Sequence, residues 1–271
     1  MFKHNGIYYL CYCAPGTEFD TYSVGVYRGS SPLGDFVYQE NNPIITKRYG
    51  IIRGPGHGCV VNGPDNTIWI FYTCTLCYAH GTERRVGMDP VGIDENGNLF
   101  TAGASEIPQF APGVLANPQN GNGAGMLPLS FRRPCEASST APGRDALYAF
   151  DDSMLTWWQP SAEDEKPWIS VQFRTPFEVK AFRIIWRDVG LDYRNGVLPG
   201  PFCYTVEAKM PDEDWQVIFD MRENKRDMVL DYQVLPDTVL AKEVRLVLHG
   251  APAGITPGVI SFTVFGDCPD E

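Results

Sequence analysis

The residues best suited to chemistry are scattered along the chain. Among eight cysteines, Cys74 and Cys77 stand at Cys-x-x-Cys spacing, half of a zinc site, and no second pair follows to complete a tetrahedral set. Cys11, Cys13 and Cys74 fall inside strongly apolar runs, where a buried free thiol is the expected state. Glu18, Asp20 and Glu83 are carboxylates in loop-like segments, with no spacing that pairs them as acid and base. His57 sits in Gly54-Pro55-Gly56-His57-Gly58, just before Cys59-Val60-Val61. A glycine turn there presents one imidazole, either to a pocket or to partners within the turn itself. The adjacent Arg84 and Arg85 must point to opposite faces of any strand that carries them.

The elements around these residues read as strands. A length of 271 residues suits two domains, and 27 glycines with 22 prolines fit an all-β protein rich in turns. A formal charge of −11 gives no basic face for nucleic acid and is compatible with a neutral partner such as a sugar. No apolar run reaches the ~18 residues of a transmembrane helix. Met1-Phe2-Lys3-His4-Asn5-Gly6 lacks the order of a signal peptide and reads as the inside of a strand hairpin.

Residues 1–101 repeat internally. Ile7-Tyr8-Tyr9-Leu10-Cys11-Tyr12-Cys13 corresponds to Ile68-Trp69-Ile70-Phe71-Tyr72-Thr73-Cys74, and Tyr22-Ser23-Val24-Gly25-Val26 to Arg84-Arg85-Val86-Gly87-Met88. Asn5-Gly6 and Asp94-Glu95-Asn96-Gly97 are hairpin turns. Units of this kind are propeller blades. The second is expected to be complete and the first to lack its innermost strand. Residues 102–133 alternate Pro108, Pro112, Pro118 and Pro128 with Gly113, Gly121, Gly123 and Gly125 and read as a linker. Residues 134–268 carry short strand patterns at 168–173, 181–186, 204–208, 215–219, 243–248 and 258–266, with no helix between them, as in a β-sandwich.

Two resemblances follow from these motifs. His4-Asn5-Gly6-Ile7-Tyr8-Tyr9-Leu10, Tyr22-Ser23-Val24-Gly25-Val26 with Ser31-Pro32-Leu33-Gly34, Gly54-Pro55-Gly56-His57-Gly58, and Arg84-Arg85-Val86-Gly87-Met88-Asp89-Pro90 with Asp94-Glu95-Asn96-Gly97 resemble the last two blades of glycoside hydrolase family 43. That family has a five-bladed β-propeller and inverts configuration, with an Asp base, a Glu acid and a second Asp that tunes the acid. The resemblance implies that all three carboxylates precede His4, so that this chain holds none of them. It also implies that His57 faces the substrate pocket and helps hold a metal ion through water, and that Arg84, in preference to Arg85, reaches the pocket to hold a carboxylate or sugar hydroxyl.

Ala137-Ser138-Ser139, Ala149-Phe150-Asp151-Asp152, Thr156-Trp157-Trp158, Trp168 to Phe173 and Phe262-Thr263-Val264-Phe265-Gly266 resemble the discoidin or coagulation factor 5/8 type C domain, also called carbohydrate-binding module family 32. This implies an eight-stranded jelly-roll sandwich that binds sugar with its loops. It further implies a Cys135–Cys268 disulfide, and a structural Ca²⁺ at Asp151 to Thr156 whose usual Glu ligand is replaced here by Ser261. Trp158 matches a core tryptophan; Trp157, Tyr193 and Phe202 are by position loop candidates for sugar, with a core or lid role the alternative for each. No organic cofactor is implied.

The fold expected is thus all-β: a partial propeller over 1–101, a linker over 102–133 and a sandwich over 134–268. The expected function is that of a fragment of an inverting glycosidase, similar to β-xylosidases and α-L-arabinofuranosidases, acting on plant-type saccharides. The alternative is a non-catalytic glycan-binding protein working through the sandwich. Carbohydrate is the expected partner, with neither nucleic acid nor membrane, and further blades could reside on another chain. A secreted or periplasmic bacterial parent is the expected source.

Overall fold

A computed structural model describes residues 1–76, 84–118, 121 and 125–268. Cys77, Glu83 and Gly123 lie outside the described residues. The chain divides into two compact units, Met1–Ala124 and Gly125–Glu271.

The first unit contains two four-stranded antiparallel sheets, each a meander in chain order. One is made of β1 (Phe2–His4), β2 (Ile7–Ala14), β3 (Ser23–Gly29) and β4 (Val37–Tyr38). The other is made of β5 (Arg53–Asn62), β6 (Ile68–Thr75), β7 (Arg85–Ile93) and β8 (Leu99–Phe100). The repeated segments fall on β2 and β6 and on β3 and β7, so both sheets have the order of propeller blades. The innermost strand expected to be missing is present. Asn5 and Gly6 both take positive φ, 46° and 82°, which closes a tight hairpin and pairs Phe2 with Tyr9.

Glycines let the two sheets approach. A Cβ on Gly56 would lie 2.2 Å from the Tyr22 ring, and one on Gly58 would lie 2.8 Å from Val24, itself fully buried. At the other edge Gln39 substitutes for a strand. Its amide donates to the Leu99 carbonyl at 2.9 Å and accepts from the Leu99 N–H at 2.8 Å, and the Asn41 amide donates to the same carbonyl at 3.1 Å, so a buried backbone edge is met by side chains.

The second unit is a seven-stranded sheet wrapped around one apolar core. Its strands are β9 (Leu127–Pro128), β10 (Cys135–Ala137), β11 (Trp168–Val189), β12 (Cys203–Lys209), β13 (Gln216–Met221), β14 (Leu230–Gly250) and β15 (Thr256–Asp267), in the order β13-β12-β14-β11-β15-β9, with β10 added on β11. The eight separate strands expected are seven because β11 and β14 each run through two layers. Register shifts between Gln172 and Phe177 and between Val179 and Ala181 bend them there. Inward residues of both layers, among them Trp158, Phe173, Phe182, Tyr204, Leu246 and Phe262, form one core.

The stretch 102–133 is shared between the two units. Ser105 and Gln109 bond the buried Asp89 at 3.2 Å each. Leu127 and Pro128 pair with β15, and Leu129 enters the sandwich core. Ala104 and Leu129 are buried, whereas Phe110, Val114, Leu127 and Phe131 stay exposed.

Replacing Gln39 by Leu leaves the buried Leu99 N–H without an acceptor and leaves the Leu99 carbonyl to the Asn41 amide alone. Unfolding in urea is expected to show a loss of about 2–4 kcal/mol; an unchanged midpoint would show that the amide bridge carries no weight.

Candidate functional site

In the first unit the glycine turn around His57 is a bulged stretch of β5. Register shifts flank Gly56, Gly54 and His57 take φ of 55° and 51°, and the His57 side chain is exposed. A left-handed conformation is unusual for a histidine and is held here by its surroundings. The Tyr22 ring packs on Gly56, and its hydroxyl meets the His57 backbone and the Cys13 thiol. Burial raises the Tyr22 pKa. The Arg84 guanidinium lies 5.5 Å from the Tyr22 ring centre. Tyr22, the first residue of the repeated segment 22–26, thus joins the two residues picked out by motif.

Arg84 does not reach outward. Nε donates to Thr73 Oγ1 at 3.0 Å, and Nη2 donates to the carbonyls of Gly54 and Thr73, both at 2.7 Å. Nη1 donates to Thr75 Oγ1 at 3.2 Å and to the Thr17 carbonyl at 3.1 Å. All five donors of the fork are committed, so Arg84 ties β5, β6 and the loop after β2 together and keeps none for a sugar or carboxylate. Four carboxylates of the first unit are likewise engaged. Asp89 accepts from Tyr72 at 2.7 Å, Glu106 pairs with Lys47 at 2.7 Å, Asp20 with Arg53 at 3.4 Å, and Asp94 closes its turn with Asn96 and Asn98.

In the second unit the three loop aromatics separate. Phe202 is buried and stacks on Trp186, ring centres 4.5 Å apart, so it belongs to the core and not to a binding loop. Trp157 is half-buried, with Arg144 and Arg187 over its ring at 3.3 and 4.2 Å. Its ring is therefore covered by guanidinium groups and offers no bare platform for a sugar. Tyr193 is 66% exposed, between the exposed Leu191 and Leu198. Its loop is stiff: Asp192 accepts from the N–H groups of Arg194 and Asn195 and from the Asn195 amide, and Gly196 takes φ 79°. Those hydrogen bonds hold the Asp192 carboxyl below its ordinary pKa. At the far end of β12 lies a cleft of 350 Å³ lined by Lys209, Met210, Val217, Asp237, Val239 and Leu240, which no sequence motif marks.

The expected calcium loop is closed by its own hydrogen bonds. Asp151 accepts from the Ser153 N–H at 3.0 Å and from the Thr156 hydroxyl at 2.7 Å. Ser261, in the place of the usual Glu ligand, bonds Thr263 at 3.0 Å and lies 3.5 Å from the buried Arg183 guanidinium. Calcium takes about six to eight oxygens; a hydroxyl turned onto the aspartate and a cation beside Ser261 do not fit it. Among the described residues no group of three His, Cys, Asp or Glu is placed for a metal, His57 included. Cys135 and Cys268 are free thiols. β10 sets Cys135 opposite Val171, whereas β15 ends with Asp267 opposite Glu178, so the two cysteines meet different stretches of β11. Burial raises the Cys135 thiol pKa.

Comparison with known proteins gives two matches along the chain. The family model for glycosyl hydrolases family 43 matches residues 1–99, and that for the F5/8 type C domain matches residues 134–257. No curated protein matches the chain. Similar solved structures include chitosan-binding module 1 of a chitosanase/glucanase from Paenibacillus sp. IK-5, with 20% identity, 52% of this chain and 99% of that one covered, and a TM-score of 0.43. Module 2 of the same enzyme, in complex with chitotriose, has 16% identity, coverage of 51% and 99%, and a TM-score of 0.43. The family 32 module of C. perfringens NanJ, in complex with galactose, has 15% identity, coverage of 52% and 94%, and a TM-score of 0.40.

Two outcomes follow from this geometry. Arg84→Met leaves several carbonyls and hydroxyls without donors, and a loss of about 2–4 kcal/mol is expected in denaturant unfolding; unaltered stability would return Arg84 to the pocket. Chelation with EDTA is expected to leave the melting temperature of the chain unchanged, and a clear drop restored by calcium would reinstate the ion at Asp151 and Thr156.

Proposed function

With a glycosyl hydrolase family 43 segment at residues 1–99 and an F5/8 type C domain at residues 134–257, we propose that this chain is a glycan-recognising part of a glycosidase acting on plant-type saccharides of the β-xylosidase or α-L-arabinofuranosidase kind. The observation that carries the reading is Tyr193. A phenol ring that is mostly exposed costs hydrophobic stabilisation, and a loop fixed by Asp192 and Gly196 holds it ready without further ordering. Sugar rings present apolar C–H faces that stack on such a ring.

Hydrolysis with inversion needs a carboxylate to activate water and a carboxylic acid to protonate the leaving oxygen, about 6.5–9.5 Å apart. Asp20, Asp89, Asp94 and Glu106 are held by other partners. An exposed imidazole at His57 and a fully bonded Arg84 do not supply that pair. In this reading the residues present recognise saccharide, and turnover calls for carboxylates beyond those described.

The test is calorimetry of the whole chain with xylo-, arabino- and galacto-oligosaccharides, beside a chromogenic aryl xyloside and arabinofuranoside assay. Saccharide binding weakened about tenfold or more by Tyr193→Ala, without hydrolysis above background, is expected. No binding of any saccharide would remove the recognition role. Hydrolysis abolished by mutating a carboxylate within residues 1–101 would make the chain an enzyme in its own right.

A further inference from the structure

The covering of Trp157 has a chemical consequence. Arg144 lies 3.3 Å from the indole centre and Arg187 lies 4.2 Å from it. A separation of 3.3 Å admits only face-to-face stacking, so the Arg144 N–H groups lie parallel to the indole and point past its rim. Each component sits on a rigid support. Arg144 ends a turn in which Pro142 precedes Gly143, with φ 70° at the glycine and the Arg144 N–H bonded to the Ala141 carbonyl at 3.0 Å. Trp157 precedes the fully buried Trp158, and its own N–H bonds Gln159 at 3.3 Å. Arg187 stands on β11 opposite Gly258, where a Cβ would come within 3.0 Å of the indole.

The Arg187 guanidinium also acts on the neighbouring Asp188 carboxyl, and a cation–π contact with the indole needs only one of the two guanidinium groups. Among the described residues the Arg144 guanidinium has no carboxylate and no hydrogen-bond acceptor; the indole is its one partner. On a chain of net charge −11, Arg144 is thus a stacked cation whose preorganised donors are left over. The forked geometry suits a planar or tetrahedral oxyanion. β11 ends at Val189, two residues beyond Arg187, and runs into the Tyr193 loop, so the aromatic ring and the cations lie toward the same end of that strand.

We propose that Arg144, Trp157 and Arg187 form a subsite for the anionic group of an acidic saccharide, a uronate carboxylate or a sulfate ester, bound at the end of the sandwich that carries Tyr193. The inference rests on the reading of the second unit as a glycan binder. It adds the charge of the ligand and the residue, Arg144, that selects it.

The test is calorimetry of the full chain with trigalacturonate, with a sulfated galacto-oligosaccharide and with neutral galactotriose. At least one acidic ligand is expected to bind about tenfold more tightly than the neutral one, with a preference that shrinks as salt rises. Arg144→Gln is expected to abolish the preference of acidic over neutral ligand. Preference for uronate alone assigns a carboxylate, preference for sulfate alone a sulfate ester, and preference for both the shared charge. Neutral and acidic ligands binding equally, or an Arg144→Gln chain that keeps the preference, overturns this inference and leaves glycan recognition standing. No binding of any of the three overturns this inference, and no binding of the xylo- and arabino-oligosaccharides besides overturns both. Should Arg144→Gln fold poorly, Arg144→Lys keeps the charge but loses the stacked fork, and reduced selectivity is again expected.

Discussion

The end of the second unit that carries Trp157 depends on how Trp158 is anchored. Its side chain is fully buried, its indole N–H donates to the Ser139 carbonyl at 3.0 Å, and its backbone exchanges hydrogen bonds with Val259 at 2.9 and 2.8 Å. Burying so large a ring without a partner for its N–H would be costly, and here every polar group is met. One consequence is positional. With Trp158 fixed inward, the neighbouring Trp157 is turned out beside Gly258, where Arg187 and Arg144 close over it. A second is rigidity, since the Ser139 hydroxyl also donates to Asp164 at 2.6 Å and accepts from the Ser161 N–H at 3.0 Å, tying the 139–164 segment to itself. The burial of one aromatic ring therefore orients the charged surface of the next.

The first unit solves a different problem with the same kind of bond. Its two sheets approach through glycines, and side chains stand in where the backbone leaves groups unpaired. Gln39 pairs with Leu99 at one edge, and Arg84 gathers Thr17, Gly54, Thr73 and Thr75 near the other. Arg84 is thus a structural fastener beside His57, and the exposed imidazole is the side chain of that cluster that remains presented outward. A glycine-flanked histidine in left-handed conformation costs conformational energy, which the Tyr22 and Arg84 contacts help to offset.

Much of the fold was legible because period and turn chemistry are local. Alternation marked β2, β6, β12 and the second half of β14, Asn5-Gly6 marked a hairpin, and Trp158 read as core. The failures share a cause, which is dependence on distant partners. Pro236 and Asp237 broke the pattern of β14, whose first half pairs with the Ala181–Ile185 stretch of β11 regardless. Phe202 looked like a loop aromatic because Trp186 lies 16 residues away in sequence, a distance that no local pattern spans. Trp157 read as a sugar platform because its guanidinium covers come from positions 144 and 187. Arg84 read as a pocket residue because its acceptors at Thr17 and Gly54 lie far upstream. Residue type and position could nominate these groups, but only their neighbours in space decide whether a donor or a ring is free.

The most direct measurement of the central claim, that saccharide is met at the Trp157 and Tyr193 end of the sandwich, is chemical-shift mapping of the ¹⁵N-labelled chain during titration with an acidic galacto-oligosaccharide. The account predicts that the Trp157 indole N–H and the amides of Arg144, Arg187 and Tyr193 shift together, with one saturation curve, while the Trp158 indole keeps its position. Shifts gathered instead around the cleft at Lys209, Val217 and Leu240, with Trp157 and Tyr193 unmoved, would contradict it.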